Sequence, residues 1–249
     1  MRTRFGYIAL ASIVAACAKS DGAAANSERQ GGSAAKSAVA ESSSAESSRA
    51  TEPRGEEPTI VFVGTSLTAG LGLADPDEAY PALIQRKLDS LRLNYRVVNA
   101  GVSGETSAGA LKSIGWLMRS QASVVVIETG ANDGLRGLSV KALQANIQGI
   151  IDTVRATHPD ARLVIAGMEA PPNLGPRYTA AFREVYPELA RANHATLIPF
   201  LLAGVAGVDS LNQADGIHPN QRGARVVADN VWQVLRGVLS SVADSAGPG

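Results

Sequence analysis

Five short apolar runs punctuate the chain: TIVFVG (59–64), YRVVNAG (95–101), SVVVIETG (123–130), ARLVIAG (161–167) and ATLIPF (195–200). They are rich in β-branched residues and nearly continuous in apolar character, not alternating, which predicts strands buried on both faces. Between them the apolar period lengthens. YPALIQRKLDSLR puts Leu83, Ile84, Leu88 and Leu91 on one helical stripe. SVKALQANIQGIIDTVRA does the same with Val140, Leu143, Ile147, Ile150 and Val154. Further helices are expected over roughly 176–193 and 221–239. Strands and helices alternating at these lengths predict an α/β fold, a five-stranded parallel sheet with helices on both faces.

The first quarter of the chain does not share this pattern. MRTRFGYIALASIVAAC has two arginines, a short apolar run and small residues before the only cysteine, Cys17. That order predicts a secretory signal over 1–16, too short for a spanning helix. VAAC resembles a bacterial lipobox, which implies lipidation of Cys17 and a membrane anchor. Ala18 stands where the inner-membrane retention signal has aspartate, so the implied address is the cell envelope, on the outer membrane facing the periplasm. Residues 17–57 are mostly Ser, Ala, Gly, Glu and Lys and predict a flexible tether. One domain is expected over 58–240, followed by a disordered tail over 241–249. Zero formal net charge and the lack of a basic run argue against a nucleic-acid partner.

In open parallel sheets, ligands bind at the carboxyl ends of the strands. Ser66 follows the first predicted strand, SGET the second, GANDG the third and DGIHPN the fifth. Of the three histidines, His158 and His194 precede strands and belong to the opposite edge. His218 alone can reach Ser66. A serine needs a base to take its proton, and that base needs an acid to orient it. Asp215, three residues before His218, is placed for that role. Asn132 can offer a side-chain N–H to an oxyanion, Gly104 a backbone N–H beside which nothing blocks substrate, and Ser66 its own N–H. Singly, each has a plainer reading: Ser66 as a helix cap, Asp-x-x-His as a turn, Asn132 and Gly104 as turn residues.

Together the blocks GTSLTAG, VVNAGVSGETSAGAL, ETGANDGLRG and DGIHPN resemble the SGNH hydrolases, or GDSL esterases and lipases. RYTAAFREVYPELA is similar to the penultimate helix of the thioesterase I, lysophospholipase L1 and arylesterase branch. The resemblance implies a flavodoxin-like three-layer α/β/α sandwich and hydrolysis of esters or thioesters without metal or other cofactor. It makes Ser66, Asp215 and His218 catalytic and Ser66, Gly104 and Asn132 the oxyanion hole. The chain departs from the family at Thr65, where an aspartate is usual. That position orders the nucleophile loop, and a threonine hydroxyl supplies part of the same local bonding. Ser66 is then expected to cap its helix with its backbone and attack with its side chain.

By the same resemblance the loop over 168–178 overhangs the site, with Pro171, Pro172, Asn173 and Leu174 binding the acyl or aryl group. The expected substrates are short or medium acyl esters, aryl esters or lysophospholipids. A carbohydrate O-deacetylase and a non-catalytic envelope-binding protein are the alternatives. The first would need sugar-stacking aromatics, yet aromatics are only 4% of the chain, and Trp116 and Trp232 fall in helical patterns that predict burial.

Overall fold

A computed structural model describes residues 57–245, with side chains described through residue 240. The expected signal segment, Cys17 and nearly all of the tether lie outside the described residues. Each apolar run yields one strand: β1 (Thr59–Gly64), β2 (Arg96–Gly101), β3 (Val124–Ile127), β4 (Arg162–Ala166) and β5 (Thr196–Ile198). They form one parallel sheet in the order β2-β1-β3-β4-β5. Every residue of β1 and β3 is buried, as is all of β4 but its first. The edge strands β2 and β5 are partly exposed. Continuous apolar character therefore marks the central strands best, because only they are covered on both faces and both sides.

Seven α-helices are described: α1 (Ser66–Ala69), α2 (Tyr80–Ser90), α3 (Ser107–Leu117), α4 (Ala131–Leu135), α5 (Val140–Thr157), α6 (Pro176–Ala192) and α7 (Gln221–Ser245). Helix α2 packs against α7, while α3, α5 and α6 pack in a row, α5 between the other two. The sheet lies between these groups, as the three-layer expectation requires. The predicted stripe of α5 is buried at Leu143, Ile147, Ile150 and Val154, and that of α2 at Ile84 and Leu88. Leu91 departs from its stripe: α2 ends at Ser90, so Leu91 becomes its C-cap and turns 56% of its surface outward. Trp116 also contradicts its expected burial, lying 67% exposed on α3, whereas Trp232 packs partly buried against the core. Helix α7 runs to Ser245, so residues 241–245, expected in a disordered tail, continue the helix.

From β1 the chain first adds β2 on one side and then returns to place β3 on the other. The loops leaving β1 and β3 therefore diverge and open a crevice at the carboxyl edge, the topological switch point of such sheets. Gly64 closes β1 beneath that crevice. A Cβ there would overlap Thr68 Oγ1 and sit 2.7 Å from Glu128 Oε2, so the first turn of α1 lies directly on the end of β3.

Candidate active site

The chain turns at Thr65 (φ −101°, ψ −152°), and Ser66 is the first residue of α1. Thr65, not Ser66, is thus the N-cap, one residue earlier than expected. Its hydroxyl does not cap the helix. It donates instead to the Glu128 carboxylate, 3.0 and 3.1 Å from the two oxygens, while the Thr65 N–H donates to Oε2 at 2.7 Å. Thr68 Oγ1 adds a 2.8 Å bond to Oε2 and pairs with the Tyr80 hydroxyl at 2.7 Å. Glu128 is fully buried. Desolvation pushes its carboxyl up to about 7, with the bonds from Thr65 and Thr68 working in the opposite direction. Sequence reasoning missed Glu128. The available signal was its position, a carboxylate continuing the buried VVVI run without a polar break.

The histidine loop is tied to the nucleophile loop before either group reacts. Gln213 donates its backbone N–H to the His218 carbonyl at 2.8 Å, and its side chain donates to the Leu71 carbonyl at 2.7 Å and the Pro219 carbonyl at 3.0 Å. Asp215 Oδ1 accepts the N–H groups of Ile217 and His218, both at 3.0 Å, which folds the carboxylate back toward the ring. Its Oδ2 lies 2.7 Å from His218 Nδ1. The other ring nitrogen, Nε2, is 2.8 Å from Ser66 Oγ. With the proton on Nδ1 donated to Asp215, Nε2 is left to accept from the serine hydroxyl. The His218 backbone N–H, then its ring and the Ile217 N–H, hold the Asp215 carboxyl down at about 2. Ser66 is buried and the His218 side chain 15% exposed, while Asp215 faces solvent. The other two histidines lie where expected: His158 is the C-cap of α5 and His194 immediately precedes β5's segment, both away from this edge.

The two expected oxyanion donors meet across the crevice. Gly104 adopts φ +79°, and a Cβ there would meet nothing within 4 Å. Glycine is needed for its conformation and leaves the space above it open. Asn132, in the first turn of α4, donates one Nδ2 hydrogen to the Glu105 carbonyl at 3.0 Å, which leaves the second for a ligand. Arg136 donates to the Gly104 carbonyl at 3.0 Å. Beneath them Asp133, also missed at the sequence level, accepts from the Ser107 N–H at 2.8 Å and its hydroxyl at 2.7 Å. These bonds lock the loop after β2 onto the loop after β3.

Ser66, Gly104, Asn132 and His218 all line one cleft of about 470 Å³. Its apolar wall comes from Leu67, Leu71, Leu135, Phe200, Leu202 and Ile217, none of which the sequence reading singled out. Of the expected substrate loop, Pro171 and Pro172 line the cleft, but Asn173 and Leu174 do not. The 3₁₀ turn Pro172–Leu174 carries these two away from the mouth, and Leu174 packs toward Gly137 instead. Trp116 and Trp232 are also absent from the lining.

Comparison with known proteins agrees with this geometry. Residues 62–226, which include all four of these positions and Asp215, match the model of the GDSL-like lipase/acylhydrolase family. The chain belongs to that family. It is 42% identical over 182 residues to Esterase TesA of Pseudomonas aeruginosa, covering 73% of this chain and 89% of that protein. It is 35% identical over 183 residues to thioesterase 1/protease 1/lysophospholipase L1 of Escherichia coli K12, covering 73% and 85%. The crystal structure of the esterase EstA from Pseudoalteromonas, inhibited by monoethylphosphonate, superposes with a TM-score of 0.69 at 33% identity, covering 73% of this chain and 98% of EstA. The expected assignment to ester hydrolysis therefore holds, and neither the deacetylase nor the non-catalytic alternative is favoured.

Proposed function

We propose that this chain hydrolyses carboxylic esters of short or medium acyl or aryl groups through an acyl-enzyme on Ser66. The observation that carries the reading is the continuous relay Asp215–His218–Ser66, at 2.7 and 2.8 Å, opening into a cleft with an apolar wall. Ser66 Oγ attacks the ester carbonyl carbon as its proton passes to His218 Nε2. The oxyanion forms against the N–H groups of Ser66 and Gly104 and the spare Nδ2 hydrogen of Asn132. His218 then returns the proton to the leaving alcohol. Water attacks the acyl-enzyme by the same route, releasing the acid and regenerating the serine. Ionised Asp215 stabilises the imidazolium at each step.

The apolar wall of the cleft, leucines with Phe200 and Ile217, supports acyl or aryl groups as the bound moiety. Lysophospholipids, which the name of the Escherichia coli relative mentions, fit the same chemistry. Hydrolysis of p-nitrophenyl esters from acetate to palmitate, with Ser66→Ala in parallel, tests the reading. The expected profile peaks at short to medium chains and falls by about 10³-fold or more in the variant. Comparable turnover by Ser66→Ala would exclude Ser66 as nucleophile. A steady rise toward palmitate would overturn the chain-length reading. The VAAC sequence supports a lipid anchor on Cys17 and an address in the cell envelope, where esters and lysophospholipids are more accessible than cytoplasmic thioesters.

A further inference from the structure

We propose that Glu128 is a positioning residue for the reaction: its buried carboxylate clamps the turn that carries Ser66 and so sets the serine hydroxyl against His218. The inference rests on the reading of Ser66 as nucleophile. It begins from what holds that turn, which besides Glu128 includes a 2.9 Å bond from Asn99 Nδ2 to the Thr68 carbonyl. Helix α1 has four residues, no side-chain N-cap bond and no acidic residue in its first turn. A single turn has almost no stability of its own, because nucleation fixes several dihedrals for one hydrogen bond. Its place must come from tertiary bonds.

Glu128 supplies them on both sides of the nucleophile. It binds the N–H and hydroxyl of Thr65, the residue before Ser66, and the hydroxyl of Thr68, two residues after it. Thr68 is held in turn by Tyr80 on α2, which couples the clamp to the helical layer. Gly64 leaves no slack, since its Cα faces Thr68 and Glu128 too closely for any side chain. None of these bonds touches the ester or His218, so the effect on chemistry acts through the position of Ser66 alone.

The clamp also has two proton states. An ionised carboxylate accepts from all three donors. A neutral acid carries an O–H that must itself donate, so one threonine hydroxyl has to reverse. Burial lifts the Glu128 carboxyl to about 7, which brings both forms within reach of neutral buffers. The phenols of Tyr80 and Tyr186 feel its charge. Burial holds the Tyr80 and Tyr186 phenols well above their ordinary range. Asp133 is engaged by Ser107, and His218 by Asp215 and Ser66.

The test is the pH dependence of p-nitrophenyl ester hydrolysis by the wild type and by Glu128→Gln, which fixes the neutral form. The ratio of wild-type to Glu128→Gln kcat should fall toward one as pH drops below about 7, where the wild-type carboxyl takes up its own proton. Above that pH Glu128→Gln should have kcat lowered about tenfold or more and KM within about twofold, because a displaced nucleophile costs rate more than binding. Thr65→Val, which removes the hydroxyl but keeps the N–H, should show a smaller loss of kcat at unchanged KM. A Thr65→Val enzyme with wild-type kcat would overturn the proposal. So would a Glu128→Gln enzyme with wild-type kcat. Ser66→Ala keeps the two readings apart: if it abolishes activity while Glu128→Gln keeps the wild-type kcat, the nucleophile stands and only the clamp falls.

Discussion

Gly104 separates conformation from crowding at the scale of one residue. Its φ of +79° is costly for any side chain, yet a Cβ there would meet no neighbour within 4 Å. Gly104→Ala should therefore lower stability by only about 1 kcal/mol, the ordinary cost of a left-handed L-residue. Activity should fall much further, by about 10²-fold, because the methyl enters the cleft and the N–H tilts away from the oxyanion. Urea unfolding and kcat on the same sample check both halves; equal, small effects would remove Gly104 from the oxyanion site. Ser66, Asp215 and His218 were legible in the sequence because each stands in a short block of distinctive types, Ser66 just after a strand and the other two just before the last helix. Glu128 and Asp133 were not. What makes them important is donors 63 and 26 residues away, and no local pattern encodes such a pairing.

At the scale of elements, the long pieces were readable and the short ones were not. Helix α5 shows its stripe over 18 residues, but α1 and α4, with four and five residues, are too short to display a 3.6-residue period. The junction of β3 with α1 has a measurable energetic signature. Folding raises the Glu128 carboxyl from an ordinary value near 4.5 to about 7, so the folded state holds that proton more tightly than the unfolded chain. Its contribution is most favourable below about 4.5, is lost as pH rises toward about 7, and is constant above that. The full loss is on the order of 3 kcal/mol. The stability of the wild type relative to Glu128→Gln should accordingly decline between about pH 4.5 and about pH 7. Urea titrations that give a constant difference across that range would contradict it. Asp215 runs the other way. Its carboxyl is lowered from 3.8 to about 2, so its small contribution is fully present above that range and is lost as pH falls through it.

For the whole molecule, the N-terminal segment raises a prediction independent of catalysis. If Cys17 is lipidated, a Cys17→Ser variant of the full chain should move from the membrane fraction to the soluble fraction, with its ester turnover unchanged. Equal membrane association of both forms would remove the anchor. The sequence alone determined the five strands and most of the long helices, their order along the chain, the family, and the edge on which the serine, histidine and aspartate stand. All of these depend on local periodicity and short blocks, which survive in one dimension. The tertiary structure decided the strand order β2-β1-β3-β4-β5, the lining of the cleft and the carboxylate beneath the nucleophile turn. Those depend on which distant segments come to share one volume, and only the parallel pairing of β1 with β3 brings Glu128 beside the turn that carries Ser66.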